Sequence, residues 1–226
     1  MRNKTAILIF ANSAEKEIIS KSFLAKQLFE TLNAQTIKIA KKTGLPYFVY
    51  SEHEQVGFSF GERFTNAIQS VYNKGFDQII TIGNDTPHLT TKHLLKTAKK
   101  LETSAIVLGP STDGGFYLMG LKKTLFHKNT FLKLPWQTSS LNRSISKISA
   151  SKQIKIYYLE VLTDIDTVSD ISIVLNNFKA ISKTIKSFLI QSLYIKQGIS
   201  TFQNITFINH ILQLFFNKGS PALLHF

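Results

Sequence analysis

QIITIGNDTP, residues Gln78 to Pro87, is the stretch from which the fold is read. Five residues suited to a buried β-strand run into Gly83 and Asn84, then into Asp85 ahead of Thr86 and Pro87. An acid directly after a strand has two readings. It forms a turn or caps the next helix, or it stands at the carboxyl edge of a sheet where ligands bind. The choice depends on whether other strands end the same way.

Upstream, TAILIFA (Thr5 to Ala11) is an apolar run suited to a first buried strand, and PYFVYS to a second. Between them the spacing of Leu24, Leu28, Leu32 and Ile39 predicts a long helix from about Ser20 to Lys42, closed by Gly44 and Pro46. Phe64, Ala67, Ile68, Val71 and Tyr72 fall on one helical face, and Gly75 ends that helix. Downstream, Thr90 to Leu101 reads as a helix, AIVLGP as a strand, and GGFYLMGL as a strand after a tight Gly-Gly turn. Ser139 to Ala150 reads as a helix, IKIYYLEVL as a strand, and a further helix starts near Val168. Strands and helices alternate through about residue 176. This predicts an α/β domain with a mostly parallel sheet covered on both faces.

Composition bounds the rest. Hydrophobic residues make up 43% of the 226, enough for a full core. Cysteine is absent, which excludes disulfides and thiolate chemistry and fits a reducing cytoplasm. Arg2 and Lys4 imitate the basic start of a signal peptide, but the apolar run behind them is too short, so it is read as a strand. The formal net charge is +13, yet the lysines are scattered and only three arginines occur, which argues against nucleic acid as a partner. The last fifty residues carry five Lys, seven Phe and no acid. Ile181, Ile185, Phe188 and Leu189 mark one helix there, and Ile208, Ile211, Leu212, Phe215 and Phe216 another, with Gly198 between them. Residues 177–226 are thus expected to form a helical C-terminal extension packed on the domain. A homodimer interface and a peripheral membrane contact are the other readings.

Five of the six aspartates fall in three short motifs, each behind a strand-like run. They are Asp85 in GNDTP, Asp113 in GPSTDGGFYLMGL, and Asp164, Asp166 and Asp170 in LTDIDTVSD. In a parallel sheet such strand ends share one edge, so the carboxylates can converge. Hard oxygens of this kind suit Mg²⁺ or Mn²⁺ together with substrate phosphates. Each motif also has a local reading: Asp113 in a turn, and Asp170 in a capping box with Thr167. No His-based metal spacing, Walker loop or nucleophile elbow is present, and His88 and His93 are expected at the surface.

The stretches GERF, IGNDTPHLT, LGPSTDGGFYLMGL, LPWQT and DIDTVSD together resemble an uncharacterised bacterial family of glycosyltransferase-A type. That family is similar in fold to the nucleotide-diphospho-sugar transferases. The resemblance spans most of residues 5 to 176. It implies a GT-A, Rossmann-like three-layer sandwich over residues 1–176, a nucleotide or nucleotide-sugar ligand, and a divalent metal. It also implies a transferase moving a glycosyl or nucleotidyl group to an acceptor it does not name. By this resemblance Asp85 and Asp166 are metal ligands, and Asp113 takes a proton from the acceptor hydroxyl. Asn84, Thr86, Gly114 and Gly115 border the ligand. Trp136 is a platform for sugar or base, or core packing; Arg63 is a phosphate contact, or a surface residue at a helix start. One feature departs from the family. Its basic, glycine-containing loop after the first strand is replaced by NSAEKEIISKSF, with no Gly, Pro or Arg and with Lys16 and Lys21 as the only cations. A transferase with a different donor, and a catalytically degenerate binding or scaffold protein, are both compatible with that change.

Overall fold

The computed structural model describes residues 4–151, 153–177 and 180–196. The chain opens with β1 (Thr5–Phe10), α1 (Ala14–Ser20), α2 (Lys26–Lys41), β2 (Tyr47–Tyr50) and α3 (Phe60–Asn73). It continues through β3 (Gln78–Ile82), α4 (Thr91–Thr103), β4 (Ile106–Pro110), β5 (Phe116–Lys122) and α5 (Lys128–Leu132). The last described elements are α6 (Leu141–Ser151), β6 (Ile156–Tyr158), α7 (Val168–Asn176) and α8 (Lys183–Lys196). Six strands form one sheet in the order β2-β1-β3-β5-β4-β6. All neighbours are parallel except β5, which runs against both β3 and β4.

The alternation of side chains sends each strand into two cores. Ala6, Leu8, Ile79, Leu108 and Met119 face α3, α5 and α6, where they meet Phe64, Ile68, Val71, Tyr72, Phe131 and Ile145. Ile7, Ile9, Ile80, Val107 and Leu118 face the other way, against Leu94 and Leu101 of α4 and Ala40 of α2. Burial on both faces explains why Ala6 to Phe10 of β1 read as a continuous apolar run, and all five residues of β3 are likewise buried. The result is a three-layer α/β sandwich, as the sequence predicts. A third cluster joins Leu28, Phe29 and Leu32 of α2 to Ile171 and Val174 of α7 and to Ile185 and Leu189 of α8. The second helix expected near Ile208 to Phe216 lies outside the described residues.

Three expectations are corrected. The long helix starts at Lys26 rather than near Ser20, and the stretch read as a loop contains α1. Ser13 caps α1 by accepting from the Lys16 N–H, Glu52 in turn accepts from the Ser13 N–H at 2.8 Å, and Glu15 and Glu17 suit the first turn of a helix. The strand read over IKIYYLEVL is confined to Ile156–Tyr158. His88 and His93 are buried, not at the surface. His93 closes a capping box, its Nδ1 accepting from the Thr90 N–H at 3.0 Å, and its Nε2 lies 2.7 Å from Glu160 Oε1.

The reversed strand sets where the loops meet. The β4–β5 turn returns the chain between β3 and β4, so residues 111–115 lie beside the end of β3. After β6 the chain runs back over the same edge. Leu162 N–H donates to Pro110 O (3.1 Å), Thr112 N–H to Leu162 O (3.1 Å), and Ile165 N–H to Asp85 O (2.9 Å). The three aspartate motifs are thereby stitched together by backbone hydrogen bonds.

Close packing on β5 has a direct test. A Cβ at Gly120 would lie 2.6 Å from Thr97 Cγ2 and 3.2 Å from Leu101 Cδ1 of α4, both residues being fully buried. Gly120→Ala is expected to cost about 1–3 kcal/mol through overpacking. Urea denaturation measures this, and an unchanged midpoint would show that α4 has room to move.

Candidate active site

An open cleft of about 470 Å³ lies at the carboxyl edge of β3 and β4. Asp85, Asp113, Asp164 and Asp166 all line it, with Lys21, Glu17, Asn84 and Arg63. The three motifs therefore converge, and the convergence follows from the strand order.

At its centre is a cation that the chain itself provides. Lys21 is the C-cap of α1, and its side chain is only 11% exposed. Its Nζ is 2.9 Å from Asp85 Oδ2, 2.8 Å from Asp166 Oδ1 and 2.8 Å from Ile165 O. An ammonium has three donors, and all three have acceptors here. Burial by itself lowers the Lys21 pKa, but Asp85 and Asp166 outweigh it and hold the group above the ordinary lysine range.

The surrounding acids outnumber this cation. Asp164 is half-buried in the cleft wall and accepts a hydrogen bond from Thr86 Oγ1. Burial and the nearby Asp85 charge push its carboxyl well above the usual carboxylate range, against the Thr86 bond, which lowers it. Glu17 of α1 accepts from Asn12 Nδ2 at 2.9 Å. Its carboxyl is also raised, first by burial, with Lys21 opposing and Asp85 adding to the rise.

The other expected site residues have distinct surroundings. Asn84 is buried and donates through Nδ2 to Asn33 Oδ1 of α2 at 2.7 Å, which fixes the loop after β3. Asp113 accepts from Ser111 Oγ and from Gly115 N–H at 2.9 Å, so its carboxylate is oriented within its own turn. Gly114 has φ +92°, and a Cβ there would sit 2.7 Å from Ser139 O. Its glycine is thus required by the turn and by the close approach of the loop at residue 139. Arg63 Nη1 donates to Phe58 O (2.9 Å) and Nε to Gln55 Oε1 (3.3 Å), which ties it to the rim. Trp136 lines the cleft and is also packed. Its Nε1 donates to Phe131 O (2.7 Å), its ring meets Phe64 edge-on at 5.0 Å, and Gly61 lies beneath it. Asp170 bonds the Thr167 N–H at 2.6 Å and serves the start of α7.

Sequence reasoning did not assign Lys21, Glu17 or Ser111 to the site, and it counted Asp164 among the converging acids without giving it a role. Lys21 had one available signal, as one of two cations left in the loop after β1. The side chains suit a hard divalent ion, since two carboxylates and a carbonyl already surround one cationic position. No group of three or more His, Cys, Asp or Glu side chains is gathered as a metal cage among the described residues. Asp85 and Asp166 are the pair that would hold Mg²⁺ or Mn²⁺, leaving the remaining positions to phosphate and water.

A mostly parallel sheet with one reversed strand and a cleft at its carboxyl edge is an architecture this chain shares with a solved structure. A candidate nucleotide-diphospho-sugar transferase from Desulfovibrio desulfuricans G20 superposes with a TM-score of 0.70 at 19% identity, covering 87% of this chain and 96% of that one. Looser likenesses include a cytidylyltransferase from Leptospira borgpetersenii (18% identity, 90% and 99% covered, TM-score 0.43). Another is Rv0371c from Mycobacterium tuberculosis H37Rv in complex with manganese (14%, 77% and 100%, TM-score 0.44). No curated protein matches the sequence. Residues 24–138 match the family described as "Uncharacterized protein conserved in bacteria", DUF2064, and the chain belongs to that family.

The raised Asp164 carboxyl gives a signed prediction. Its folded-state pKa lies above its unfolded value, so its contribution to stability is full at low pH and is lost as pH rises through the folded value. Asp164→Asn keeps an acceptor for Thr86 and removes that loss. Stability of the variant relative to the parent is expected to grow as pH rises from the ordinary carboxylate range upward, measured by urea denaturation at several pH values. A difference that is flat with pH would contradict the burial argument.

Proposed function

We propose that the protein transfers a glycosyl or nucleotidyl group from a nucleotide donor to an acceptor in the cleft at the sheet edge. The observation that carries this reading is the convergence of Asp85 and Asp166 on one cationic position, with Asp113 in the same cleft. The donor diphosphate or triphosphate lies toward Asp85 and Asp166. A Mg²⁺ or Mn²⁺ bound by those two carboxylates supplies charge neutralisation for the leaving phosphates.

The chain's own groups do the rest. Asp113, held by Ser111 Oγ and the Gly115 N–H, takes the proton of the acceptor hydroxyl. The hydroxyl oxygen bonds to the transferred carbon or phosphorus as the bond to the nucleotide diphosphate, or to pyrophosphate, breaks. Trp136 and Phe116 form an apolar wall for the base or sugar, and Arg63 at the rim meets a phosphate. The absence of cysteine suits a cytoplasmic enzyme, and no described helix is long and apolar enough to cross a membrane.

A specific observation favours a second reading, a binding or scaffold protein that has lost turnover. The expected phosphate-cradling loop after β1 is replaced by helix α1, whose last residue neighbour Lys21 reaches between the two carboxylates.

Calorimetric titration with nucleotides and nucleotide sugars, with and without Mg²⁺ or Mn²⁺, separates the two. Metal-dependent binding is expected in the parent, with a loss of at least tenfold in Asp85→Asn, about 1.4 kcal/mol or more. Undiminished metal-dependent affinity in that variant would remove Asp85 from the metal site. With the donor identified, Asp113→Asn is expected to lower turnover by about 10²–10⁴-fold while donor affinity stays near the parent's. Turnover equal to the parent's would dismiss Asp113 as the base, and binding without any turnover in the parent would favour the second reading.

A further inference from the structure

Asp85 follows β3 and Asp166 follows β6, and Lys21 comes from a third segment, the end of α1. Two carboxylates from separate loops repel each other unless a cation stands between them. Here that cation is an ammonium with every donor engaged, at 2.8–2.9 Å from two carboxylate oxygens and the Ile165 carbonyl. The same oxygens are the ones a divalent ion would need, at about 2.0–2.1 Å for Mg²⁺. An ammonium and a divalent cation cannot occupy this position together: they would be within a few ångströms of each other in a partly desolvated cleft, and the oxygens can close on only one of them.

We propose that the Lys21 ammonium and a divalent metal ion compete for one position between Asp85 and Asp166, so that Lys21 sets the metal affinity of the site. This rests on the reading of Asp85 and Asp166 as the metal pair. The metal-free state is latched by Lys21, and loading the metal displaces its side chain. The backbone need not follow. Ser13 is bound to Glu52, and Ala14 and Leu24 are buried in the cluster with α2 and α7, so the backbone is anchored both before and after Lys21. A displaced ammonium stays tethered at the cleft wall, where donor phosphates bring the negative charge it has given up. Metal and nucleotide are then expected to bind more tightly together than apart.

The test is a Mn²⁺ titration followed by the EPR signal of free Mn²⁺, without nucleotide, on the full chain. Lys21→Met is expected to bind Mn²⁺ at least about tenfold more tightly than the parent. The double variant Lys21→Met/Asp85→Asn is expected to lose that gain. Removing the cation that bridges Asp85 and Asp166 will lower stability, so Lys21→Gln, whose amide still donates one or two hydrogen bonds, is measured in parallel. Mn²⁺ is expected to raise the melting temperature of both single variants by more than it raises the parent's. Equal Mn²⁺ affinity in parent and variants overturns the proposal, as does absence of Mn²⁺ binding in all of them. Nucleotide titrations in EDTA and in Mn²⁺ keep the two readings apart. Nucleotide binding with no Lys21 effect on Mn²⁺ sinks the competition and leaves the transferase reading standing. A Lys21 effect on Mn²⁺ with no nucleotide binding under either condition does the reverse.

Discussion

β5 runs against both of its neighbours, and this single reversal decides what can meet at the edge of the sheet. A parallel crossover at that point would carry the chain away from the ends of β3 and β4. The hairpin instead returns it directly, placing the Ser111–Gly115 turn beside the loop after β3. The order β3-β5-β4-β6 then requires the chain leaving β6 to run back over the same edge to reach Asp85, and the hydrogen bonds of Leu162 and Ile165 record that path. Acids 28 to 81 residues apart in sequence become neighbours because backbone groups pair, before any side chain is considered.

Gathering carboxylates in this way is electrostatically unfavourable, and the molecule answers it by two physical routes. Asp85 and Asp166 are left partly exposed and share an ammonium. Asp164 is half-buried, and desolvation together with the Asp85 charge raises its carboxyl, while Thr86 supplies a hydrogen bond. The first route balances the charge with a counter-ion; the second disfavours it. The two aspartates of one DIDT motif, separated by Ile165, thus differ in exposure and in partner.

Most of the fold is legible in the sequence because burial leaves a periodic trace. Phe64, Ala67, Ile68, Val71 and Tyr72 repeat with a helical period and are all buried in α3, and the all-apolar run of β1 marks a strand covered on both sides. The acids after β3, β4 and β6 are legible for the same reason, since strand ends of a mostly parallel sheet share an edge. Helix α1 leaves no such trace. It is seven residues long, and what holds its start is the contact of Ser13 with Glu52, 39 positions away. Lys21 leaves only the faint trace of being one of two cations in the stretch after β1: its first carboxylate partner is 64 residues distant, and one lysine among many carries no period. His93 looks like a surface residue because its pairing with Glu160, 67 positions on, is invisible until α4 is packed on the sheet.

The wall of the cleft has a consequence of another kind. Trp136 is the only tryptophan in the chain, and it lines the cleft with its indole fixed by Phe131 O and by the rings of Phe60, Phe64 and Phe116. A fluorophore held in one orientation, with no second indole to dilute its emission, sits on the wall of the cleft proposed to take the ligand. The protein therefore carries an intrinsic optical probe at the place where its chemistry is expected, and a ligand in the proposed site is expected to alter its near-ultraviolet emission without a label.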